Sequence, residues 1–225
     1  YVKPLILQTF HDLPNVRLVL FEPAGAPTTT AIIDRREKPA MTSGRALVLM
    51  LMAKYNQTQY DYRLSLLEVQ KIAYFLQIGG EPLKLDYKAH IYGPYADNLR
   101  KVLRHIEGHY TRGVGDGLNS PETPLEILPG AMEAASAFLA GREESRARLA
   151  RVASLIDGFE TPFGMELLAT VHWVMAHAQR SAGFEEVLAG VHSWSARKQS
   201  MMKDGHVREA WARLHDQGWV PAQAL

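Results

Sequence analysis

Cysteine is absent from all 225 residues. Its absence excludes disulfides, thiolate nucleophiles and Cys-ligated zinc or iron–sulfur centres, and it agrees with a reducing compartment, so the cytoplasm is the expected location. Long apolar runs are missing as well. The longest, roughly Ala46 to Ala53, falls far short of the ~18–20 residues of a membrane span, and no charged stretch ahead of an apolar one marks a signal peptide. Charge of one sign is also lacking: 25 Lys and Arg stand against 24 Asp and Glu, a net of +1. No bulk field therefore draws the chain to nucleic acid or to an anionic membrane. What remains is an ordinary globular composition, 47% hydrophobic, 22% charged and 9% aromatic. It suffices for one large domain or two small ones and is unlike a disordered, collagenous or coiled-coil chain.

Along the chain, residues 3–11 read as a short helix and Val16 to Phe21 as a nearly continuous apolar strand. A lone strand is not stable, so residues 1–22 are expected to be the last helix and strand of an α/β domain whose body lies upstream. An edge strand lent to the following domain is the other reading. Residues 23–40, with Pro23, Gly25, Pro27, three threonines and Asp34-Arg35-Arg36-Glu37-Lys38, read as a linker. Residues 41–225 then form one mainly α-helical domain with a small β-hairpin and a winged-helix-like middle. Thr42 or Ser43 caps a helix running to about Tyr55. Ser65 and Glu68 form a capping box opening a helix through Gln77, stopped by Gly79-Gly80. Leu83 to Tyr92 reads as extended. Tyr92-Gly93-Pro94-Tyr95 is expected to lead straight into a helix with Pro94 in its first turn and Leu99, Val102, Leu103 and Ile106 as its apolar stripe. Thr111 to Thr123 is a loop or hairpin tip, and Leu125 to Leu128 its returning strand. Further helices are expected at roughly 130–140, 142–157, 162–178, 184–190 and 204–217, with Trp173, Trp194, Trp211 and Trp219 as anchors.

Local chemistry is sparse. His105 and His109 have the four-residue spacing of two helical metal ligands, but Glu107 is misplaced for a zinc-protease motif and Gly108 ends the helix. His172 and His177, five apart, do not converge on one helix face. Gly113-Val114-Gly115-Asp116-Gly117 has the look of a phosphate loop, yet no helix follows directly, and a tight turn is the simpler reading. No nucleophile elbow occurs. Catalytic, cofactor-binding and metal-binding residues are therefore assigned to none. A helix carrying Arg100, Lys101 and Arg104 would suit a winged-helix DNA binder acting as an autoregulator. Against this, residues 81–170 hold 13 acidic and 10 basic residues, the wrong sign for phosphate contacts.

One combination of motifs is distinctive. Val19-Leu20-Phe21-Glu22-Pro23 is followed by Met41-Thr42-Ser43-Gly44-Arg45-Ala46, by Leu67-Glu68-Val69-Gln70-Lys71 leading to Tyr74-Phe75, by Tyr92-Gly93-Pro94-Tyr95, and by Gly115-Asp116-Gly117. Gly158-Phe159-Glu160, Pro162 to Trp173, Trp194 and Arg197-Lys198 complete the series. Together they resemble the DarG family of antitoxins over essentially the whole chain, and the middle part is similar to helical SocA or Panacea-type antitoxin domains. The resemblance implies a bacterial toxin–antitoxin system. In it, an N-terminal macrodomain removes ADP-ribose from DNA and a C-terminal domain blocks a DarT-like toxin, a DNA ADP-ribosyltransferase acting on single-stranded DNA. It further implies that residues 1–22 are the macrodomain's end, that its catalytic residues lie upstream of Tyr1, and that this chain is not itself an enzyme. The expected partner is the toxin, with neither nucleic acid nor membrane bound directly. Mimicry or blocking of the toxin's DNA by an acidic surface fits the 15 acidic and 12 basic residues of positions 61–170. Charge and loop position single out Asp116, Glu122, Glu126, Asp157 and Glu160 as toxin-binding candidates. Tyr92-Gly93-Pro94-Tyr95 and Trp173 read equally as a rigid turn and a core residue.

Overall fold

The computed structural model describes residues 9–10, 37–57, 64–115, 122–178 and 183–219. The chain divides into two compact units, 1–37 and 38–225. In the first, only Thr9, Phe10 and Glu37 are described, so the expected closing helix and strand lie outside the described residues, as does most of the expected linker.

The second unit is mainly helical. Its described elements, in chain order, are α1 (Ser43–Tyr55), α2 (Leu66–Ile78), β1 (Tyr87–His90), β2 (Gly93–Ala96), α3 (Asp97–Ile106), β3 (Thr111–Arg112), β4 (Glu126–Ile127), α4 (Ala131–Leu139), α5 (Glu143–Ile156), α6 (Pro162–His177), α7 (Phe184–Trp194), α8 (Ala196–Met201) and α9 (Asp204–Asp216). Three helices are apolar on nearly every side and form the centre. In α1, Ala46 to Leu49, Leu51, Met52 and Tyr55 are buried, in α2 every residue from Val69 to Leu76, and in α6 every residue from Gly164 to His172. A helix apolar all round must be enclosed by others. Accordingly α1 packs on α2, α4 and α5, while α6 packs on α2, α7 and α9. Among the described residues no helix is long and apolar enough to cross a membrane.

Helix starts follow their capping residues. Thr42 accepts from the Arg45 amide, Ser65 and Glu68 complete the expected box, and Thr161 accepts from Gly164 at 2.9 Å. The sequence pattern does not announce the helix of residues 196–201; Ser195 caps it by accepting from the Lys198 amide.

The Tyr92–Tyr95 segment departs from expectation. Gly93 to Ala96 is a strand, antiparallel to β1 with Tyr87 opposite Ala96 and His90 opposite Gly93, and the helix begins only at Asp97. Proline tolerates this position because the ladder has just two strands, and the residue's carbonyl finds a partner outside it. Val102, expected in the apolar stripe of α3, is 39% exposed, whereas Leu99, Leu103 and Ile106 are buried. The same helix ends at Ile106 and Gly108 has φ +80°, so His105 and His109 do not share a helical face. β3 and β4 pair as the expected small hairpin, with Thr111 opposite Ile127.

Gly93 is required for two reasons. Its φ is +85°, and an added Cβ would stand 2.8 Å from the Thr170 hydroxyl. Gly93→Ala is expected to lower stability by about 1–3 kcal/mol, measured as a shift of the urea midpoint with unchanged slope.

Candidate functional site

The site is built where the β1–β2 hairpin lies against α2, α6 and α8. Within its apolar run α2 presents two fully buried polar side chains, Gln70 and Lys71. The Gln70 carboxamide behaves as a further strand: Nε2 donates to the Ala96 carbonyl and Oε1 accepts from the Ala96 amide, both at 2.9 Å. Lys71 Nζ donates to the Pro94 carbonyl at 2.8 Å. From below, Tyr87 donates its hydroxyl proton to the Gln70 carbonyl at 3.1 Å.

Helix α6 contributes Glu166 and, one turn later, Thr170. Glu166 takes a two-pronged bond from Arg197, 2.6 Å to Oε1 and 3.0 Å to Oε2. Lys198 Nζ also donates to Oε1 at 2.6 Å, and to Thr170 Oγ1 at 3.1 Å, with the lysine wholly enclosed. The turn of the hairpin is tied to the same helices: the Trp194 indole donates to the His90 carbonyl at 3.0 Å, and the Arg197 guanidinium stands 5.4 Å from the Tyr92 ring centre.

Burial alone would push the Glu166 carboxyl up, but the Arg197 hydrogen bond and the Lys198 charge hold it below its ordinary value. Arg197 is raised, chiefly by its bond to Glu166. Burial brings Lys198 down in spite of Glu166, and it brings Lys71 to about 7, with the charge of Lys198 adding to the effect. The Lys71 amine can donate to the Pro94 carbonyl in either protonation form.

A cleft of about 370 Å³ opens beside this network, between the starts of α2 and α6, the hairpin turn and α8. Leu67, Phe163 and Met201 give it an apolar wall, with Tyr92 and Glu122 also lining it. The Tyr92 hydroxyl donates to Glu122 at 3.3 Å. Such a cleft suits a partner side chain with an apolar stem and a polar end.

The expected toxin-binding residues are dispersed. Glu122 is exposed at the cleft. Glu126 is exposed on β4, opposite Arg112. Asp157 sits past the end of α5 in an exposed ion pair with Lys54 at 3.4 Å, away from the cleft. Glu160 is turned inward: it is 7% exposed and accepts from the Gly158 amide at 2.6 Å, bracing its own loop. Asp116 lies outside the described residues. In the glycine loop before it, the amides of Gly113, Val114 and Gly115 point at the Glu107 carboxylate, at 2.9, 3.3 and 3.0 Å. The place a phosphate would take is filled by the chain itself.

His172 is also interior. Burial holds it at about 4, and it meets the Tyr74 hydroxyl at 2.7 Å from Nδ1. Burial raises Tyr74 as well, which favours the neutral form of both groups in this contact. His177 stacks on Trp173 with ring centres 3.9 Å apart. Among the described residues no group of three or more His, Cys, Asp and Glu could hold a metal ion.

The motifs are legible in the sequence as motifs, but their joint role is not. The available signal is a polar residue in a run that should be wholly apolar: Gln70-Lys71 between Val69 and Ile72, and Glu166 between Met165 and Leu167. Such a residue must find a partner inside.

No protein-family model matches the chain. It is 36% identical over 217 residues to a protein of Thermus aquaticus named DNA ADP-ribosyl glycohydrolase, covering 96% of the chain and 59% of that relative. It is 32% identical over 227 residues to proteins of the same name from Mycobacterium bovis and Mycobacterium tuberculosis, covering 95% of the chain and 63% of each. The chain is thus similar to proteins named DNA ADP-ribosyl glycohydrolase and spans about three-fifths of their length. This overturns the expectation that it is not an enzyme, because relatives named for an enzymatic activity align with nearly all of it.

Two outcomes test the site. Lys198→Met leaves Glu166 with Arg197 alone and should cost about 3 kcal/mol, part of which the double variant Glu166→Leu/Lys198→Met restores, read by chemical denaturation. For His172 the folded-state value lies below the ordinary 6.5, so the folded state disfavours the proton. Its contribution is complete above pH 6.5 and is lost as pH falls toward 4, by about 3 kcal/mol. His172→Gln should flatten the stability profile in that window.

Proposed function

We propose that the unit of residues 38–225 is the toxin-binding part of a DarG-like antitoxin. It binds a DarT-like DNA ADP-ribosyltransferase and keeps single-stranded DNA out of the toxin's site, within a protein whose whole length also removes ADP-ribose from DNA. One observation supports this best. Residues from separate motifs of the sequence, Gln70 and Lys71, Gly93 and Pro94, Glu166, and Arg197 and Lys198, meet in one largely buried network that Arg197 closes from the surface side. The names and alignment of the relatives support the hydrolase half.

Physically, the network preorganises a surface. A hairpin clamped from beneath loses little freedom when a partner binds, so contact energy is not spent on ordering it. The cleft supplies an apolar wall, and Glu122 and Glu126 place exposed carboxylates at and beyond its edge, where they would face basic groups that otherwise hold DNA phosphates.

The experiment mixes the chain with the toxin, single-stranded DNA and NAD and follows DNA ADP-ribosylation. Stoichiometric inhibition is expected. Glu122→Lys/Glu126→Lys should weaken it by about tenfold, the scale of removing one or two charge pairs. Full ADP-ribosylation with excess chain present would sink the reading. Release of ADP-ribose from premodified DNA is assayed in parallel.

A further inference from the structure

The acidic excess of positions 81–170 conceals a reversal. Between residues 84 and 105 there are five basic residues, Lys84, Lys88, Arg100, Lys101 and Arg104, and two acidic ones, Asp86 and Asp97. Most of the acids of the longer stretch come later, from Glu107 onward. This basic segment is β1, β2 and α3, consecutive in chain and space. Lys84, Lys88, Lys101 and Arg104 are exposed, and none has an ion-pair partner among the described residues. Several cations elsewhere are paired: Arg148 with Glu81, Lys54 with Asp157, Arg197 and Lys198 with Glu166.

The pleat sorts the hairpin into two faces. Tyr87 points inward to Gln70. Lys88 and His90 therefore share the outer face with Tyr95, which stands opposite Lys88 in the register. The His90 ring lies 5.0 Å from Tyr95 and 5.9 Å from Tyr92, tilted by 36° and 38°. The helix that follows buries Leu99, Leu103 and Ile106, which leaves Lys101 and Arg104 on its outer side.

We propose that the outer face of β1–β2 together with α3 binds single-stranded nucleic acid, with Lys88, Lys101 and Arg104 on phosphates and His90 and Tyr95 stacked on bases. Exposed cations alternating with ring faces are what such a strand requires: charge for the backbone and π-surfaces for unstacked bases. A duplex keeps its bases stacked on one another and offers this face phosphates only. The clamp beneath the hairpin holds the rings in place before binding. This face does not depend on the toxin-binding reading and makes no use of Glu122 or Glu126.

The test is fluorescence anisotropy of the full chain with labelled oligo-dT of about 16 nucleotides, in parallel with oligo-rU, a duplex of equal length and polyglutamate. Binding to the single strands is expected, tighter than to duplex and falling as salt rises. Lys88→Glu/Lys101→Glu/Arg104→Glu should weaken it by more than about tenfold and flatten the salt dependence by roughly 0.7 for each phosphate no longer neutralised. Tyr95→Ala should cost about fivefold or more with the salt dependence unchanged. Lys203→Glu/Arg208→Glu, on α9 and the residue before it, should bind as the parent does. The altered cations are exposed and Tyr95 is half-buried, and circular dichroism and melting establish that each variant folds. No binding at low salt, or unchanged binding by the triple variant, overturns the proposal. Equal binding of polyglutamate, or no loss in Tyr95→Ala, would show a mere polyanion patch and overturns it as well.

Discussion

Everything near the hairpin depends on one carboxylate. Glu166 sits in the buried stretch of a largely apolar helix, so its charge needs cations beside it, and Arg197 and Lys198 arrive from a short helix far along the chain. Burying Glu166 and Lys198 costs several kcal/mol apiece unless their protons and lone pairs are used, while Arg197 stays partly exposed. Here both carboxylate oxygens are taken and the ammonium makes two bonds. Two guanidinium nitrogens and one ammonium converge on two oxygens, and the Thr170 hydroxyl takes another bond from the ammonium. Geometry this specific admits one placement of α8 against α6, which an apolar contact of the same area would not.

The consequence runs outward to the hairpin. A two-stranded ladder of four-residue strands is not stable in water by itself. Here Gln70 extends it as a surrogate strand, Lys71 takes its proline carbonyl, Trp194 takes the carbonyl at its turn, and Gly93 lets the backbone approach Thr170. The polar interior therefore fixes the position of an exposed element. That division of labour explains why the motif residues Gln70, Lys71, Gly93, Pro94, Glu166 and Lys198 are buried beneath an exposed hairpin.

Electrostatics at the surface is likewise local. A chain with net charge +1 carries a basic hairpin and helix and a later acidic stretch, and the glycine loop between them uses its amides on Glu107. Glu160 shows the limit of reading charge from sequence, since a carboxylate in a loop can serve the loop's own backbone.

Sequence by itself determined the helices with strong caps or long apolar runs. Thr42, Ser65 and Thr161 mark their starts because an orphan amide must be met within three residues. It also excluded cysteine chemistry and any long apolar span. Tertiary structure decided the rest. Pro94 entered a strand and not a helix because its carbonyl is claimed by a lysine 23 residues away, and Val102 was left exposed because α3 is covered on one side only. Glu166, Arg197 and Lys198 are 31 and 32 residues apart in pairs that no local pattern joins. Capping and periodicity act over a few residues and can be read in order, whereas the partner of a buried charge is chosen by which helices pack together.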